Sequence, residues 1–402
     1  YFQFFKNRII MNKMSSLYNL KICCQCFGLN PVLGICEKNA SKLRFKYSSG
    51  RFMYTFITLI GQISLVELLF IGHFLSAVIF YGLNLTTTVL FLRLAMKWPG
   101  LCMEISEMEA ADPTTDSKLC IKFNITSFVI LTLAVLEHIF AELHGIALAT
   151  ECVPGAPVYQ TFLQRSFPWV FDVIKYNHYV GVLFINIQCT FNWNYTDVFV
   201  ICMSTYLTSR FQQINRRVTA AKYKNLSPSF WRTIREDYNK AAYMVRRVDK
   251  IIGGVIFVSF ANNLFFITSQ LLHALAQGIG TVTRCRDGED LPDRRLLKGY
   301  EHSIYFVYSF VFLVVRSVAV SLLASRVHLA SLEPAYALYD VSSGTYCIEV
   351  ERFLDQVHGS TIALSGLQFF HIKRGIILSI AGTIVTYELV LMQFTGVTPR
   401  SP

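Results

Sequence analysis

Asn186, Thr190, Trp193, Asn194 and Asp197 recur at offsets of zero, four, seven, eight and eleven, the spacing of one helical face. They interrupt an apolar stretch, where amides and a carboxylate are expensive and a lipid-facing stripe would not carry them. Together they offer an aromatic plate for C–H surfaces, and amide and carboxylate groups for paired hydroxyls, which is the chemistry that holds a sugar. The same groups would also serve as glue between helices. On the binding reading, Asp197→Ala removes the ligand response and leaves the protein at the surface.

Other polar groups lie at comparable depth. Glu137 and His144 are seven apart and share a face, while His138 and Glu142 are four apart and share another. Asn263, Phe266, Gln270 and His273 lie along one face of a later apolar stretch, and Tyr305, Tyr308 and Ser309 in the outer part of the next. These residues could close one cavity; helix packing or an interfacial aromatic belt is the competing reading. Arg316, set deeper, calls for snorkelling or a paired acid. In the last apolar stretch Thr383, Thr386, Val390 and Gln393 are related by steps of three and four, with Phe394 beside them. That stripe suits a water path, since apolar rings stop ions by dewetting and amide rings replace part of a hydration shell. An ordinary packed helix end is the alternative. Thr386 and Tyr387 are expected to pack or hydrogen-bond between helices, and Glu388 to pair away from the stripe. No catalytic residue, metal or cofactor is expected. The side chains of Glu137 and Glu142 diverge by roughly 140° around a helix, unlike a glycosidase pair, and no nucleotide or zincin fingerprint is present.

The elements that position these groups follow from composition. The chain is 402 residues long, 53% hydrophobic and only 16% charged, with mean hydropathy +0.42, against about 25% charged in soluble domains. It reads as an all-α membrane protein, because backbone groups in lipid must be satisfied within helices. Apolar length and charge punctuation give seven spans, 53–74, 76–96, 124–148, 183–209, 252–277, 303–325 and 375–396. The net charge of +11 does not indicate nucleic acid, because it clusters beside spans. Residues 1–52 carry Lys6, Arg8, Lys13, Lys21, Lys38, Lys42, Arg44, Lys46 and Arg51 against Glu37, and 210–250 are similarly basic. Both segments are expected to be cytoplasmic, which places the C-terminus outside after seven crossings. Apolar positions at helical spacing within 210–250 predict that the fourth and fifth helices run on into the cytosol. The expected organisation is therefore a 1–52 arm, a 53–325 six-helix ligand-binding unit, a 326–374 cytosolic connector, the 375–396 helix and a 397–402 tail. Eleven cysteines cannot all pair within one chain. Cys152 and Cys285 fall in the two expected outer loops, where a disulfide is an open possibility.

The nonamer Thr386-Tyr387-Glu388-Leu389-Val390-Leu391-Met392-Gln393-Phe394 resembles the Thr-Tyr-(five mostly apolar)-Gln-Phe signature of insect gustatory receptors, and its Glu-Leu-Val-Leu filling is similar to the sugar-receptor clade. Further similarity lies in Pro31-Val32-Leu33-Gly34, Leu43-Arg44-Phe45, Trp98-Pro99-Gly100-Leu101, residues 191–197, Gly366-Leu367-Gln368-Phe369-Phe370 and Gly382-Thr383-Ile384-Val385. The resemblance implies a homotetrameric, ligand-gated, non-selective cation channel in the plasma membrane of sensory neurons, alone or with related subunits. It implies a pore lined by the last helix, with Gln393 and Phe394 as gate and Val390 below. It also implies an extracellular-side sugar pocket in each subunit, for which Glu137, His138, Glu142, Asn186, Trp193, Asn194, Asp197, Gln270, His273, Tyr305 and Tyr308 are the candidates. The two weighed alternatives are an odorant-receptor-type channel for an apolar ligand, which would leave the buried polar groups unpaired, and a secondary sugar transporter.

Overall fold

The computed structural model describes residues 25, 27–34, 40–71, 75–111, 118–152, 158, 161–163, 167, 179–221, 224–277, 300–342, 344 and 346–395. Cys285 and the 397–402 tail lie outside the described residues, so the disulfide expectation does too. Along the chain come β1 (Val32–Leu33) and β2 (Arg44–Phe45), then α1 (Gly50–Ile71), α2 (Leu75–Ala111), α3 (Leu119–Cys152), α4 (Tyr179–Ala221), α5 (Pro228–Gln277) and α6 (Glu301–Leu332). A short α7 (Pro334–Tyr339), α8 (Ile348–Gly359), a β3–β4 hairpin (Ser365–Gly366 with Phe370–His371) and α9 (Ile376–Thr395) follow.

Each of the seven expected spans overlaps a helix. Five of these helices (α1, α2, α3, α5 and α6) are long and apolar enough to cross a membrane, and α9 is a shorter apolar helix. The helix α4 is not among the five, because its amides, Trp193 and Asp197 dilute its hydropathy. It occupies the centre instead: residues 194–204 are buried on almost every side, and α2, α3, α5 and α6 pack around it. A helix screened by protein need not be apolar toward lipid. The outer helices show the opposite pattern, with Ile57, Phe70 and Phe128 exposed.

Two expectations are sharpened by the coordinates. Trp98-Pro99 does not follow the second helix but lies inside it, and α2 continues to Ala111. Proline costs a helix about 3 kcal/mol, and here burial of Trp98 and Leu101 in the main core opposes that cost. The 210–250 stretch does extend the fourth and fifth helices, joined at 222–227. Its apolar stripe enters a core with Phe211, Trp231, Tyr238 and Phe353 fully buried, each contributing roughly 1.5–3 kcal/mol by transfer from water. Part of its positive charge is spent internally: Arg217 meets Asp237 at 2.6 Å, Arg235 meets Glu349 at 2.9 Å, and Arg247 makes a forked contact with Glu104 at 2.8–3.3 Å.

Candidate functional site

Four helices, α3, α4, α5 and α6, bring the membrane-depth polar residues into two layers. The inner layer centres on Asp197, which is 0% exposed. Ser259 Oγ donates to its Oδ1 at 2.5 Å, Asn263 Nδ2 donates to its Oδ2 at 3.0 Å, and the Arg316 guanidinium lies 2.9 Å away. Arg316 also donates to Asn194 Oδ1 and, at 3.2 Å, to Asn263 Oδ1. Its charge sits 4.6 Å above the Trp193 ring, and Trp193 Nε1 donates to Asn263 Oδ1 at 3.3 Å. Arg316 is therefore paired rather than snorkelling. A buried charge pair with this many hydrogen bonds recovers much of its desolvation cost, and it ties α4, α5 and α6 together. Within the described residues the carboxylate of Asp197 is thus committed inside the protein.

The outer layer is looser. Gln270 Nε2 on α5 donates to Ser309 Oγ on α6 at 3.2 Å, and Ser309 Oγ donates to Glu137 Oε1 on α3 at 2.9 Å. The buried Gln270 Oε1 has no hydrogen-bond partner among the described residues. His144 and His302 approach at 3.3 Å between ring nitrogens, Tyr305 stacks on His144 at 5.8 Å, and the His273 ring lies 6.1 Å from His302. Trp193 covers Arg316 on one side, and its ring packs against Phe266 at 4.8 Å and Phe80 at 6.1 Å. Glu137, Trp193, Gln270, His273 and Tyr305 are all half-buried, unlike Asp197.

Four candidates make contacts outside this cluster. Asn186 accepts from Tyr81 at 3.0 Å, toward α2. His138 and Glu142 face each other at 3.6 Å on their own side of α3, the face separation that helical spacing predicted. Tyr308 donates to the Leu133 carbonyl at 3.0 Å and borders a different concavity, an open apolar groove of about 680 Å³ between α3 and α6 with Ile304, Val311 and Val315. Residue types alone did not single out Ser259, His302, Phe80 or Tyr81, because each gains meaning only from a partner far along the chain.

The helix α9 packs on α5 and α6 and leaves Leu378, Val385, Tyr387, Leu389 and Val390 exposed at 42–78%. Gln393 is exposed as well, and Phe394 belongs to the helix with its side chain outside the described residues. Thr383 and Thr386 donate to carbonyls of their own helix, Ser379 and Gly382. Within one chain Tyr387 therefore packs little, and so apolar a surface calls for lipid or further subunits. Glu388 points into the protomer at 4% exposure, but neither carboxylate oxygen has a hydrogen-bond partner among the described residues. The pairing expected for it is not found there.

The foot of α9 is a tight turn. Leu367 and Gln368 have φ of 52° and 66°, and Phe369 N donates to Gly366 O at 3.0 Å. Two consecutive left-handed residues match a type I′ turn, which normally takes Asn or Gly, and each costs roughly 1–2 kcal/mol in other residues. Surroundings must hold such strain in place. A Cβ at Gly366 would lie 2.3 Å from the Phe370 ring, so only glycine fits.

Comparison with known proteins adds a lineage. The family model described as trehalose receptor matches residues 14–284 and 295–400. The Drosophila melanogaster gustatory receptor for sugar taste 64a is 30% identical over 401 residues, covering 94% of this chain and 84% of that receptor. Gustatory receptor for sugar taste 64f is 32% identical, covering 93% and 79%, and gustatory receptor 5a for trehalose is 28% identical, covering 92% and 82%. Among solved structures, the insect olfactory receptor OR5 of Machilis hrabei in complex with eugenol superposes with a TM-score of 0.62 at 13% identity, over 94% of this chain and 97% of that one. At that identity the likeness concerns the fold.

Proposed function

The chain belongs to the trehalose-receptor family of gustatory receptors, and from that premise we propose that it is a sugar-gated, non-selective cation channel of sensory-neuron plasma membranes. In this reading seven helices cross the membrane, four chains surround a pore lined by α9, and a mono- or disaccharide binds the outer layer of each chain. The observation that carries it is the outer layer itself. A carboxylate on α3 already holding a hydroxyl of α6, an amide oxygen on α5 with no partner among the described residues, and a half-buried indole on α4 support it. The hydroxyls of a sugar donate to Gln270 Oε1 and Glu137 while its C–H surface meets the part of the Trp193 side chain that stays exposed. The inner layer forms the floor and keeps the helices in register.

Gating follows from differential affinity: sugar opens the pore only to the extent that it binds the open arrangement more tightly. Contraction of the outer layer moves α5, which packs against α9. Exposed Val390 and Gln393, with Phe394 beside them, then widen or close the conduit. Whole-cell recording of the chain expressed alone, against a panel of sugars and with labelled-sugar uptake in parallel, tests this. Sugar-evoked current far above uptake supports a channel; uptake matching the current indicates a transporter, and a response to apolar ligands alone removes the sugar assignment.

A further inference from the structure

Asp249 lies near the middle of α5 and is 6% exposed. Its carboxylate accepts three hydrogen bonds from the strained turn at the foot of α9: from Ser365 N at 2.6 Å, Ser365 Oγ at 2.8 Å and Gln368 Nε2 at 3.1 Å. The contact continues along one side of α5. A Cβ on Gly253 would lie 3.4 Å from both Leu367 N and Ser365 O, so glycine there lets the turn lie close against the helix. Phe257 meets the Phe369 ring at 5.8 Å, and Phe260 meets the Phe370 ring at 5.4 Å. Further along the same unbroken helix come Asn263 of the inner layer and Gln270 of the outer one. From Asp249 to Gln270 is 21 residues, about 32 Å of stiff rod at 1.5 Å per residue.

We propose that Asp249 is the positioning residue of the gate, clasping the Ser365–Gln368 turn to α5 so that movement of α5 at the sugar layer reaches the first turn of α9. This rests on the channel reading above. The turn is built as a rigid link rather than a slack connection. Its left-handed residues have little freedom to absorb displacement, and only Ile372 to Gly375 separate the hairpin from α9. Coupling of this kind needs contacts that both ends bias together, and the clasp is a polar contact of α5 with the hairpin that leads into the pore helix.

The test uses the full-length chain with Asp249→Ala, the milder Asp249→Asn and Ser365→Ala, and the swap Asp249→Ser with Ser365→Asp. Two readouts separate the ideas. In purified protein, hydrogen exchange at residues 365–380 is measured without sugar; Asp249→Ala raises it there and leaves α4 unchanged. In cells, the ratio of sugar-evoked to spontaneous current per surface channel falls at least about fivefold for Asp249→Asn, the low end of typical site-to-site coupling. Labelled-sugar binding stays within about twofold, and the swap restores part of the ratio. A purely structural role would lower surface protein and binding together. Unchanged exchange in Asp249→Ala overturns the clasp whatever the currents do, as does a responding wild type whose ratio is matched by Asp249→Asn and Ser365→Ala. A wild type silent to every sugar, with exchange altered as expected, overturns the channel reading and with it the gating role.

Discussion

Asp197 and Glu137 are both carboxylates within the helical bundle, on α4 and α3, yet their surroundings differ in kind. Asp197 is closed off by Ser259, Asn263 and Arg316, whereas Glu137 takes one hydrogen bond from Ser309 and stays half-buried. In the first arrangement both carboxylate oxygens of Asp197 already have partners within the protein. The second leaves capacity for hydroxyl groups, close to an amide oxygen that lacks a donor among the described residues. In the proposed reading, what separates glue from binding surface is the state of the partners, since a carboxylate and an amide occur in both layers.

That contrast can be broken most severely at the inner layer. Asp197→Ala strands a buried Arg316, at a cost of about 3–5 kcal/mol, so surface biotinylation should fall sharply. This replaces the simpler expectation that Asp197→Ala silences current and spares expression. The double change Asp197→Leu with Arg316→Met should restore surface protein in part, because an apolar pair removes both stranded charges. Normal expression of Asp197→Ala would show that the inner layer is not closed.

At the outer layer the order of effects reverses. Glu137→Ala should express at the surface and raise the half-activating sugar concentration about ten- to a hundredfold, the loss of a charge-assisted hydrogen bond worth roughly 1.5–3 kcal/mol. Trp193→Ala should do both kinds of damage, because the ring covers Arg316 and flanks the proposed sugar site; separate dose–response and surface measurements would show this. Gln270→Ala removes a neutral hydrogen bond of about 1 kcal/mol, so a shift of about fivefold is expected.

The smallest effect belongs to a site outside both layers. Glu349 on α8 is held below the ordinary glutamate range: burial acts to raise it, but the Arg235 hydrogen bond and the charges of Arg235, Arg232 and Arg352 lower it further. Its contribution to folding is present above the ordinary range and is lost as pH falls through the depressed value. Thermal unfolding of purified Glu349→Gln should therefore differ from wild type at neutral pH and converge with it in acid, with sugar sensitivity unchanged.

Much of this was legible in sequence, and the reasons are local. Helical spacing put Glu137 and His144 on one face and His138 and Glu142 on another, and the coordinates keep them apart. Apolar periodicity likewise carried α4 and α5 beyond the apolar spans. Pairings across long stretches of chain were not legible. Nothing near Asp197 announces Arg316, and nothing near Asp249 announces Ser365, because tertiary packing creates those contacts. The full length of α2 was not legible for the same reason: the expected span ended at 96, and burial of Trp98 and Leu101 carries the helix through Pro99 to Ala111.

The central claim is tested most directly by a cryo-electron microscopy map of the purified protein with and without trehalose. The account predicts sugar density between Trp193, Glu137 and Gln270 of each chain, with α9 from several chains surrounding a shared axis that widens on binding. Density in the apolar α3–α6 groove instead, or an α9 facing lipid away from any axis, would contradict it.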